Sequence, residues 1–238
     1  EADESTRYLV LEMGASGPGH IAYLTGIAPL DAAGVLMVGH AHMGGFGSIE
    51  GVAAAKAEIV AGLRPDGTGI LNADDARAAA MAELAPARVL TFSSQGRAAD
   101  LRAENVVLDA AARAAFDLHL PGLDEPRRVQ LAVAGAHNVA NALAAAGLAL
   151  AAGLAPELIA ERLGSVSIES PHRMDVSELG GDLLLIDDSY NANIDSMTAA
   201  LAVLPALAGD RRRVVVVSEM LELGESSAAD HARTGELA

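Results

Sequence analysis

Short apolar runs alternate with alanine-rich stretches along this 238-residue chain, and this alternation most limits the folds available to it. Short apolar runs suit buried strands, whereas apolar residues at helical spacing suit helices packed on a sheet. The predicted strands cover residues 8–11, 34–38, 69–71, 88–92, 115–120, 129–133, 183–186 and 214–217. The predicted helices cover residues 49–62, 75–84, 138–152, 156–163, 195–207 and 227–237. Strands separated by helices predict an α/β fold with a mostly parallel sheet flanked by helices.

Three regions depart from this regular alternation. Residues 95–130 carry fewer helical signals and predict a β-rich insertion or an antiparallel edge of the sheet. The helix that begins at Asn138 is apolar on nearly every face, which indicates burial between layers. Turn residues at 165–171 predict a boundary between a domain of residues 1–170 and the start of a second domain, residues 171–238.

The charge and composition exclude several kinds of function. A net charge of −16 argues against nonspecific binding to nucleic acid or to an anionic membrane surface. The absence of cysteine excludes disulfides, zinc thiolate sites and thiol nucleophiles. No uninterrupted apolar run approaches the length of about 18 residues that a membrane-spanning helix needs. The basic residues include a single lysine, Lys56, and all the others are arginine.

Polar side chains follow three of the predicted strands. Glu12 follows residues 8–11, His40 and His42 follow residues 34–38, and the Asp187–Asp188 pair follows residues 183–186. Because ligands bind beyond the carboxyl ends of the strands in open α/β sheets, these groups indicate a metal and phosphate site. Each residue taken singly is more simply a hydrogen-bonding group at a strand end.

The turns and helix starts give a second, weaker indication of nucleotide binding. The glycine-rich turns at 14–19 and 44–47 match neither a dinucleotide fingerprint nor a P-loop, and the chain has no G-x-x-x-x-G-K-[ST] sequence. His137 and Asn138 lie at the start of a helix, with Asn141 one turn later, where free backbone N–H groups favour an electronegative ligand. The alternative is that Asn138 is only an N-cap, which leaves His137 and Asn141 unexplained.

A series of motifs in one order resembles the Mur ligase family over nearly the whole chain. The motifs are LEMGA (11–15), PGHIAYLT (18–25), VGHAHMGGFGS (38–48), AKAEI (55–59), LNADD (71–75), GAHNVANALAA (135–145), HRMDV (172–176), IDDSYNANIDSM (186–197) and EMLELG (219–224). The resemblance implies a central ATP-binding domain followed by the beginning of a Rossmann-like C-terminal domain. It also implies that the chain begins after the P-loop, so we expect this chain alone to be inactive.

The resemblance assigns roles to individual residues. Glu12 and His42 correspond to magnesium ligands, and Lys56 corresponds to a lysine that reacts with CO₂ to give a metal-binding carbamate. An amine can be carbamylated when neutral, whereas a guanidinium stays protonated, so arginine could not replace Lys56 in this role. The alternative is that Lys56 forms an exposed ion pair with Glu50 or Glu58.

The remaining roles concern the nucleotide and the substrate. The resemblance implies adenine contacts from His137, Asn138 and Asn141. It implies phosphate and ribose contacts from Arg173 and Asp188. Asn191 and Asn193 lie beside them, on the substrate side. These assignments are carried over from the family motifs and not from the spacing of the residues.

The implied reaction uses ATP and Mg²⁺ to join D-Ala-D-Ala to a UDP-linked muramoyl peptide through an acyl phosphate. The implied location is the cytoplasm. Five residues depart from the family pattern, namely Met37, Gly44, Ile194 and the pair Ser218 and Glu219. Two other hypotheses therefore stay open: a noncatalytic binding or scaffold protein derived from a ligase, and a related ligase with a different acid or amine.

Overall fold

The structure, a computed structural model, describes residues 3–39, 46–167 and 170–238. Its largest element is a six-stranded sheet with the strand order β1-β2-β3-β4-β5-β6. These strands are β1 (Leu30–Val35), β2 (Leu63–Asn72), β3 (Arg88–Ser93), β4 (Leu101–Leu108), β5 (Arg113–His119) and β6 (Arg127–Ala134). Strands β1 to β4 pair in parallel, whereas β4, β5 and β6 pair antiparallel. The predicted parallel sheet and its antiparallel section are both confirmed.

Helices cover the two faces of this sheet, and two further helices follow it in the chain. The helices of the described residues are α1 (His20–Ile27), α2 (Ile49–Ala61), α3 (Ala76–Ala80), α4 (Asn138–Ala151), α5 (Pro156–Leu163), α6 (Ile194–Ala208) and α7 (Ser227–Leu237). A 3₁₀ turn, Met81–Leu84, continues from α3, so the predicted helix at 75–84 is divided in two. Its first predicted residue, Asp75, caps α3 through bonds from the backbone N–H groups of Arg77 and Ala78.

Two hydrophobic cores lie on opposite faces of the sheet. Neighbouring residues of β2 divide between them, because successive strand residues point to opposite faces. Ile70 packs against α4 in one core, and Leu71 packs with residues of α2 and α3 in the other; both side chains are fully buried. The buried character predicted for the helix at Asn138 is confirmed, since six of its residues, Val139, Ala142, Leu143, Ala144, Ala146 and Gly147, are buried.

One glycine explains how closely α4 approaches the sheet. A Cβ atom at Gly147 would lie 2.7 Å from Cγ2 of Ile70, which is too short for any side-chain contact. The helix can therefore rest on β2 only because this position has no side chain. The N-terminus of α4 lies where β6 ends, because only residues 135–137 separate the two elements.

A second unit follows the sheet. Strands β7 (Asp175–Gly180) and β8 (Leu183–Asp187) form an antiparallel ribbon, and α6 and α7 come after it. A small hydrophobic cluster joins the two units, with Ala112 from the β4–β5 turn, Met174 before β7, and Val203 on α6 buried together. This cluster sets the end of β8 beside the beginning of α4.

Some sequence predictions are wrong. Residues 8–11 and 214–217 are not strands: neither segment pairs with another strand in the part of the chain that the structure describes, and their apolar side chains are mostly exposed, Val10 by 90% and Val216 by 92%. Apolar composition alone does not make a strand without a hydrogen-bonding neighbour. The prediction also missed β4, β7 and α1. The proposed boundary near residue 170 stays a prediction.

The described residues contain no helix that is both long enough and apolar enough to cross a membrane.

Candidate functional site

Lys56 lies on α2, partly buried, beside the segment that leaves β1. Its Nζ donates a hydrogen bond to the carbonyl oxygen of Met37 at 2.7 Å. Burial lowers the pKa of Lys56 because the ammonium loses solvating water, while the negative charges of Asp75 and Asp195 act in the opposite direction. The lowered pKa increases the share of neutral amine, which is the form that can react with CO₂.

The structure does not contain the alternative contact for Lys56, an exposed ion pair with Glu50 or Glu58 on the same helix. Glu50 instead forms an ion pair with Arg77 at 2.8 Å. Glu58 accepts hydrogen bonds from the backbone N–H groups of Gly19 and Ala22, at 2.6 and 2.9 Å, at the start of α1. Both carboxylates therefore have partners other than Lys56, and Glu58 holds the glycine-rich turn at 14–19 against α2.

Two residues of the LNADD motif hold the chain where it leaves β1. The side-chain amide of Asn72 donates to the carbonyl of Leu36 at 2.8 Å, and the backbone N–H of Val38 donates to Asp75 at 2.6 Å. Neither residue was assigned a role from the sequence. The signal was available, because LNADD follows a predicted strand and places polar groups at the sheet edge where ligands bind.

The other two predicted metal ligands are not brought to Lys56 by any contact among the described residues. Glu12 is exposed and lies in a segment without regular secondary structure. His42, like His40 and Gly44, lies outside the described residues. The described part of the chain holds no group of three or more acidic or imidazole side chains able to bind a metal. The convergence of Glu12, His42 and Lys56 therefore stays a prediction.

The start of α4 differs from the expectation of free backbone donors. The N–H groups of Asn138, Val139 and Ala140 donate to the carbonyls of residues 135, 136 and 137. The N-cap position belongs to His137, not Asn138. The side-chain amide of Asn138 donates back to the carbonyl of Ala134 at 2.7 Å and accepts a bond from Asn141 at 2.9 Å. A ligand at this helix end would therefore interact with side chains and with the helix dipole, because the backbone N–H groups are already hydrogen-bonded.

His137 is exposed and folds back over a glycine with positive φ. Gly135 has φ 107°, and a Cβ there would lie 2.5 Å from Cε1 of His137, so the ring position requires glycine. Nearby protein lowers the pKa of His137 by removing part of the water around the imidazolium, and Asp188 acts in the opposite direction. Asp188 belongs to the second unit, so the predicted adenine-side and ribose-side groups lie near each other.

The HRM and DDSYN segments of the second unit hold one another. The ring of His172 lies 2.7 Å from Asp187, and the backbone N–H of Met174 donates to Asp188 at 3.0 Å. His172 and Met174 both adopt positive φ, 62° and 47°, which is uncommon for residues with side chains. Hydrogen bonds to Ser189 and to His172 lower the pKa of Asp187 to about 2.

Arg173 is presented between these two anchored residues. Its guanidinium carbon lies 4.0 Å from the ring centroid of Tyr190, a cation–π contact on an exposed surface. A guanidinium held in this way suits recognition of a phosphate, because its planar set of donors matches phosphate oxygens.

The two predicted asparagines have local partners. Asn193 is the N-cap of α6, and its oxygen accepts a bond from the backbone of Ser196 while Ser196 bonds back, which forms a capping box. The Oδ1 of Asn191 accepts a bond from the backbone of Ala192 at 2.8 Å. Helix capping therefore occupies the side-chain oxygen of Asn193. A substrate role for Asn191 or Asn193 stays a prediction.

Two pairs of polar groups meet where the second unit approaches the first. Asp195 on α6 faces Lys56, and a Cβ at Gly39 would lie 2.8 Å from Oδ2 of Asp195. Asp188 likewise faces His137 across the same junction. Two groups from the second unit thus meet two candidate groups of the first, which is the arrangement expected of a site that two domains share.

Comparison with known proteins identifies the class. The chain matches the family model of the Mur ligase middle domain over residues 1–149 and that of the Mur ligase, glutamate ligase domain over residues 172–238. It therefore belongs to the Mur ligase family, as its motifs indicated.

Three of the similar proteins come from one branch of this family. The UDP-N-acetylmuramoyl-tripeptide–D-alanyl-D-alanine ligase of Mycobacterium tuberculosis is 45% identical over 241 residues, which cover 100% of this chain and 47% of that protein. A crystal structure of MurF from Acinetobacter baumannii aligns with a TM-score of 0.90 and 36% identity, covering 100% of this chain and 51% of that one. MurF ligase from Thermotoga maritima, solved in complex with ADP, aligns at 0.79 with 27% identity over 94% of this chain and 50% of that one. The chain spans about half the length of these relatives.

Proposed function

We propose that this chain is part of an ATP-dependent ligase that adds D-Ala-D-Ala to a UDP-linked muramoyl tripeptide. The observation that carries the proposal is Lys56, the only lysine, which is partly buried with a lowered pKa and donates a hydrogen bond to the segment that leaves β1. Similarity to UDP-N-acetylmuramoyl-tripeptide–D-alanyl-D-alanine ligases over the whole chain supports the choice of substrates.

The reaction would proceed in two steps. A carboxylate oxygen of the tripeptide attacks the γ-phosphorus of ATP, and the bond from this phosphorus to the β–γ bridging oxygen breaks. ADP departs, and the tripeptide carries an acyl phosphate. The amine of D-Ala-D-Ala then attacks the acyl carbon, loses a proton, and expels inorganic phosphate as the amide forms. Positioning and charge stabilisation account for most of the catalysis in such phosphoryl transfer.

The residues for a metal ion fit Mg²⁺ by their chemistry. Glu12 and a carbamate on Lys56 would supply oxygen ligands, and His42 would add a nitrogen. Mg²⁺ bound by these residues would offset negative charge on the phosphates. The neutral share of Lys56, raised by its burial, supplies the amine that must add to CO₂.

The nucleotide would lie between the two units. His137, Asn138 and Asn141 would contact adenine from the start of α4, and Arg173 and Asp188 would reach the phosphates and the ribose. We propose that Asn191 and Asn193 face the peptide substrate, and that residues 1–170 and 171–238 belong to separate domains. Because ATP and UDP-linked precursors are cytoplasmic metabolites, we propose that the protein acts in the cytoplasm.

Release of ADP by the full-length protein tests this function. We expect ADP to form only when ATP, Mg²⁺, the UDP-linked tripeptide and D-Ala-D-Ala are all present, with one amide formed for each ADP. Replacing D-Ala-D-Ala with L-Ala-L-Ala is the matched control and should give no product. ADP release without amide formation, or no turnover with all four components, would reject the proposal.

A further inference from the structure

The guanidinium of Arg173 has an aromatic partner but no acidic one. Its carbon Cζ lies 4.0 Å from the centroid of the Tyr190 ring. Eight other arginines in the part of the chain that the structure describes pair with a carboxylate. Within that same part, Arg173 forms no ion pair and its side chain donates no hydrogen bond. The donors of this guanidinium are therefore unused among the described residues.

The two carboxylates of the neighbouring segment are occupied by the residues on either side of Arg173. Oδ2 of Asp187 lies 2.7 Å from Nδ1 of His172, and Oδ1 of Asp188 accepts the backbone N–H of Met174 at 3.0 Å. These contacts fix the backbone before and after Arg173 and do not use its side chain. Because the chain has a net charge of −16, a guanidinium without a carboxylate partner stands out as a group available to an external anion.

The ring of Tyr190 is held beside Arg173 through its own backbone. The N–H of Tyr190 donates to the carbonyl of His172 at 3.1 Å, so the two segments lie side by side. Asp187 also accepts the N–H and the hydroxyl of Ser189, the residue before Tyr190, at 3.1 and 2.7 Å. The ring occupies only one side of the guanidinium, and guanidinium donors point outward in the plane of the group. The ring contact and an anion at the edge of the guanidinium are therefore compatible.

We propose that Tyr190 is a positioning residue for phosphate binding: its ring holds the guanidinium of Arg173 in place while the hydrogen-bond donors stay free for phosphate oxygens. The inference rests on the proposed function, in which Arg173 reaches the phosphates of the nucleotide. Tyr190 acts through the face of its ring and does not need to touch the phosphate. Because the cation–π contact already restricts the flexible arginine side chain, less conformational freedom is lost when the phosphate binds.

Two substitutions at Tyr190 separate the ring from the hydroxyl. Tyr190→Phe keeps an aromatic face beside Arg173 and removes only the hydroxyl. Tyr190→Leu keeps an apolar side chain but removes the aromatic face. Since Tyr190 is 61% exposed, neither change removes a core side chain, and both variants should fold normally.

The matched control is Tyr8→Leu. Tyr8 is 57% exposed and also lies near an arginine, but Cζ of Arg7 is 5.7 Å from the centroid of its ring. This distance is near the limit of about 6 Å for a cation–π contact. The control therefore repeats the same substitution at a similarly exposed ring that has no close arginine.

The experiment uses the full-length protein and measures two quantities, the dissociation constant of ADP by calorimetry and the mobility of the Arg173 side chain by ¹⁵N relaxation at Nε. We expect Tyr190→Leu to weaken ADP binding about two- to fivefold, the effect of losing a cation–π contact at an exposed site, and to make Nε more mobile. Binding of adenosine, which has no phosphate, should not change. Tyr190→Phe and Tyr8→Leu should both match the unsubstituted protein.

Several results would overturn the positioning role. They are unchanged or tighter ADP binding in Tyr190→Leu, an equal loss for adenosine, and an equal loss in the Tyr8→Leu control. A loss in Tyr190→Phe as large as in Tyr190→Leu would also overturn it, because the hydroxyl and not the ring would then be responsible.

Failure of the proposed function gives a different result. If the unsubstituted protein binds ADP but forms no amide, the proposed reaction is rejected, and the comparison of the Tyr190 variants still decides the role of the ring. If the unsubstituted protein does not bind ADP, the phosphate role of Arg173 is rejected, and the positioning role of Tyr190 is rejected with it.

Discussion

The six-stranded sheet and the β7–β8 ribbon are built from similar apolar residues but bury them very differently. In the sheet, Phe92 and Leu101 are fully buried between covering helices and neighbouring strands. In the ribbon, Leu183 and Leu185 are 59% and 47% exposed. Since hydrophobic stabilisation follows the apolar area removed from water, the sheet should supply most of the stability of the chain. The ribbon is instead flanked by polar groups, Arg173 before β7 and Asp188 after β8; Asp188 lies near His137 of the first unit and Arg173 is exposed.

The largest expected effect separates the two regions directly. Phe92→Ala should lower the free energy of unfolding by about 3–5 kcal/mol, because it removes a buried ring and leaves a cavity. Leu185→Ala, a large-to-small change in the ribbon, should cost less than about 1 kcal/mol. Urea denaturation followed by far-ultraviolet circular dichroism measures both. Equal losses would show that the ribbon is as important to stability as the sheet.

A second prediction concerns the electrostatics of the ribbon. Asp187 has a pKa of about 2 in the folded chain against an ordinary 3.8. Because the folded-state pKa is lowered, its stabilising contribution is complete above pH of about 4 and is lost as the pH falls through about 2. Carbonyl ¹³C NMR of Asp187 against pH measures this transition.

Two variants assign the cause of that shift. The hydrogen bond from the Ser189 hydroxyl is the largest cause, and the His172 contact comes next. Ser189→Ala should therefore move the midpoint upward more than His172→Ala does. A midpoint near 3.8 in the unsubstituted chain would contradict the contacts made by Asp187.

The smallest expected effect lies at the edge of the first unit. Glu58→Gln should lower the free energy of unfolding by about 0.5–1 kcal/mol, because a carboxylate that accepts N–H groups at the start of α1 becomes neutral. Glu50→Gln on the same helix is the matched control, since Glu50 is 70% exposed in its pair with Arg77 and such pairs contribute little. The difference between the two urea midpoints measures the contribution of the hydrogen bonds that Glu58 accepts at the start of α1. Equal midpoints would contradict a stabilising role for these bonds.

The sequence predicted best those elements whose hydrophobic pattern matches their surroundings. Helix α5 and helix α7 begin and end where the pattern places them, and β3 is nearly as accurate. The apolar runs at 8–11 and 214–217 misled the prediction, because strand formation depends on a neighbouring strand that composition cannot reveal. Strand β7 was missed for the opposite reason: it is polar and mostly exposed, so it carries no hydrophobic alternation.

Candidate site residues could be predicted from the sequence where the residue type itself is distinctive. They could not be predicted where their role depends on contacts between segments that are distant in the sequence. Lys56 is distinctive because it is the only lysine of the chain, and the structure partly buries it on α2. The hold of Asp75 on Val38 depends on two segments 37 residues apart meeting at one sheet edge. The 3₁₀ bonding at the start of α4, which occupies the N–H groups of residues 138–140, could not be read from Asn138 alone.

The most direct test of the account is whether Lys56 carries a carbamate. The chain, supplied with ¹³C-bicarbonate and Mg²⁺, should show a carbamate carbon signal by ¹³C NMR, and Lys56→Arg should abolish it, because a guanidinium cannot take up CO₂. With a single lysine in the chain, acetylation of the N-terminal amine leaves Lys56 as the one amine able to give the signal. A signal that persists in Lys56→Arg, or none in the unsubstituted chain, would contradict the assignment of Lys56 as the carbamylated ligand of a ligase site.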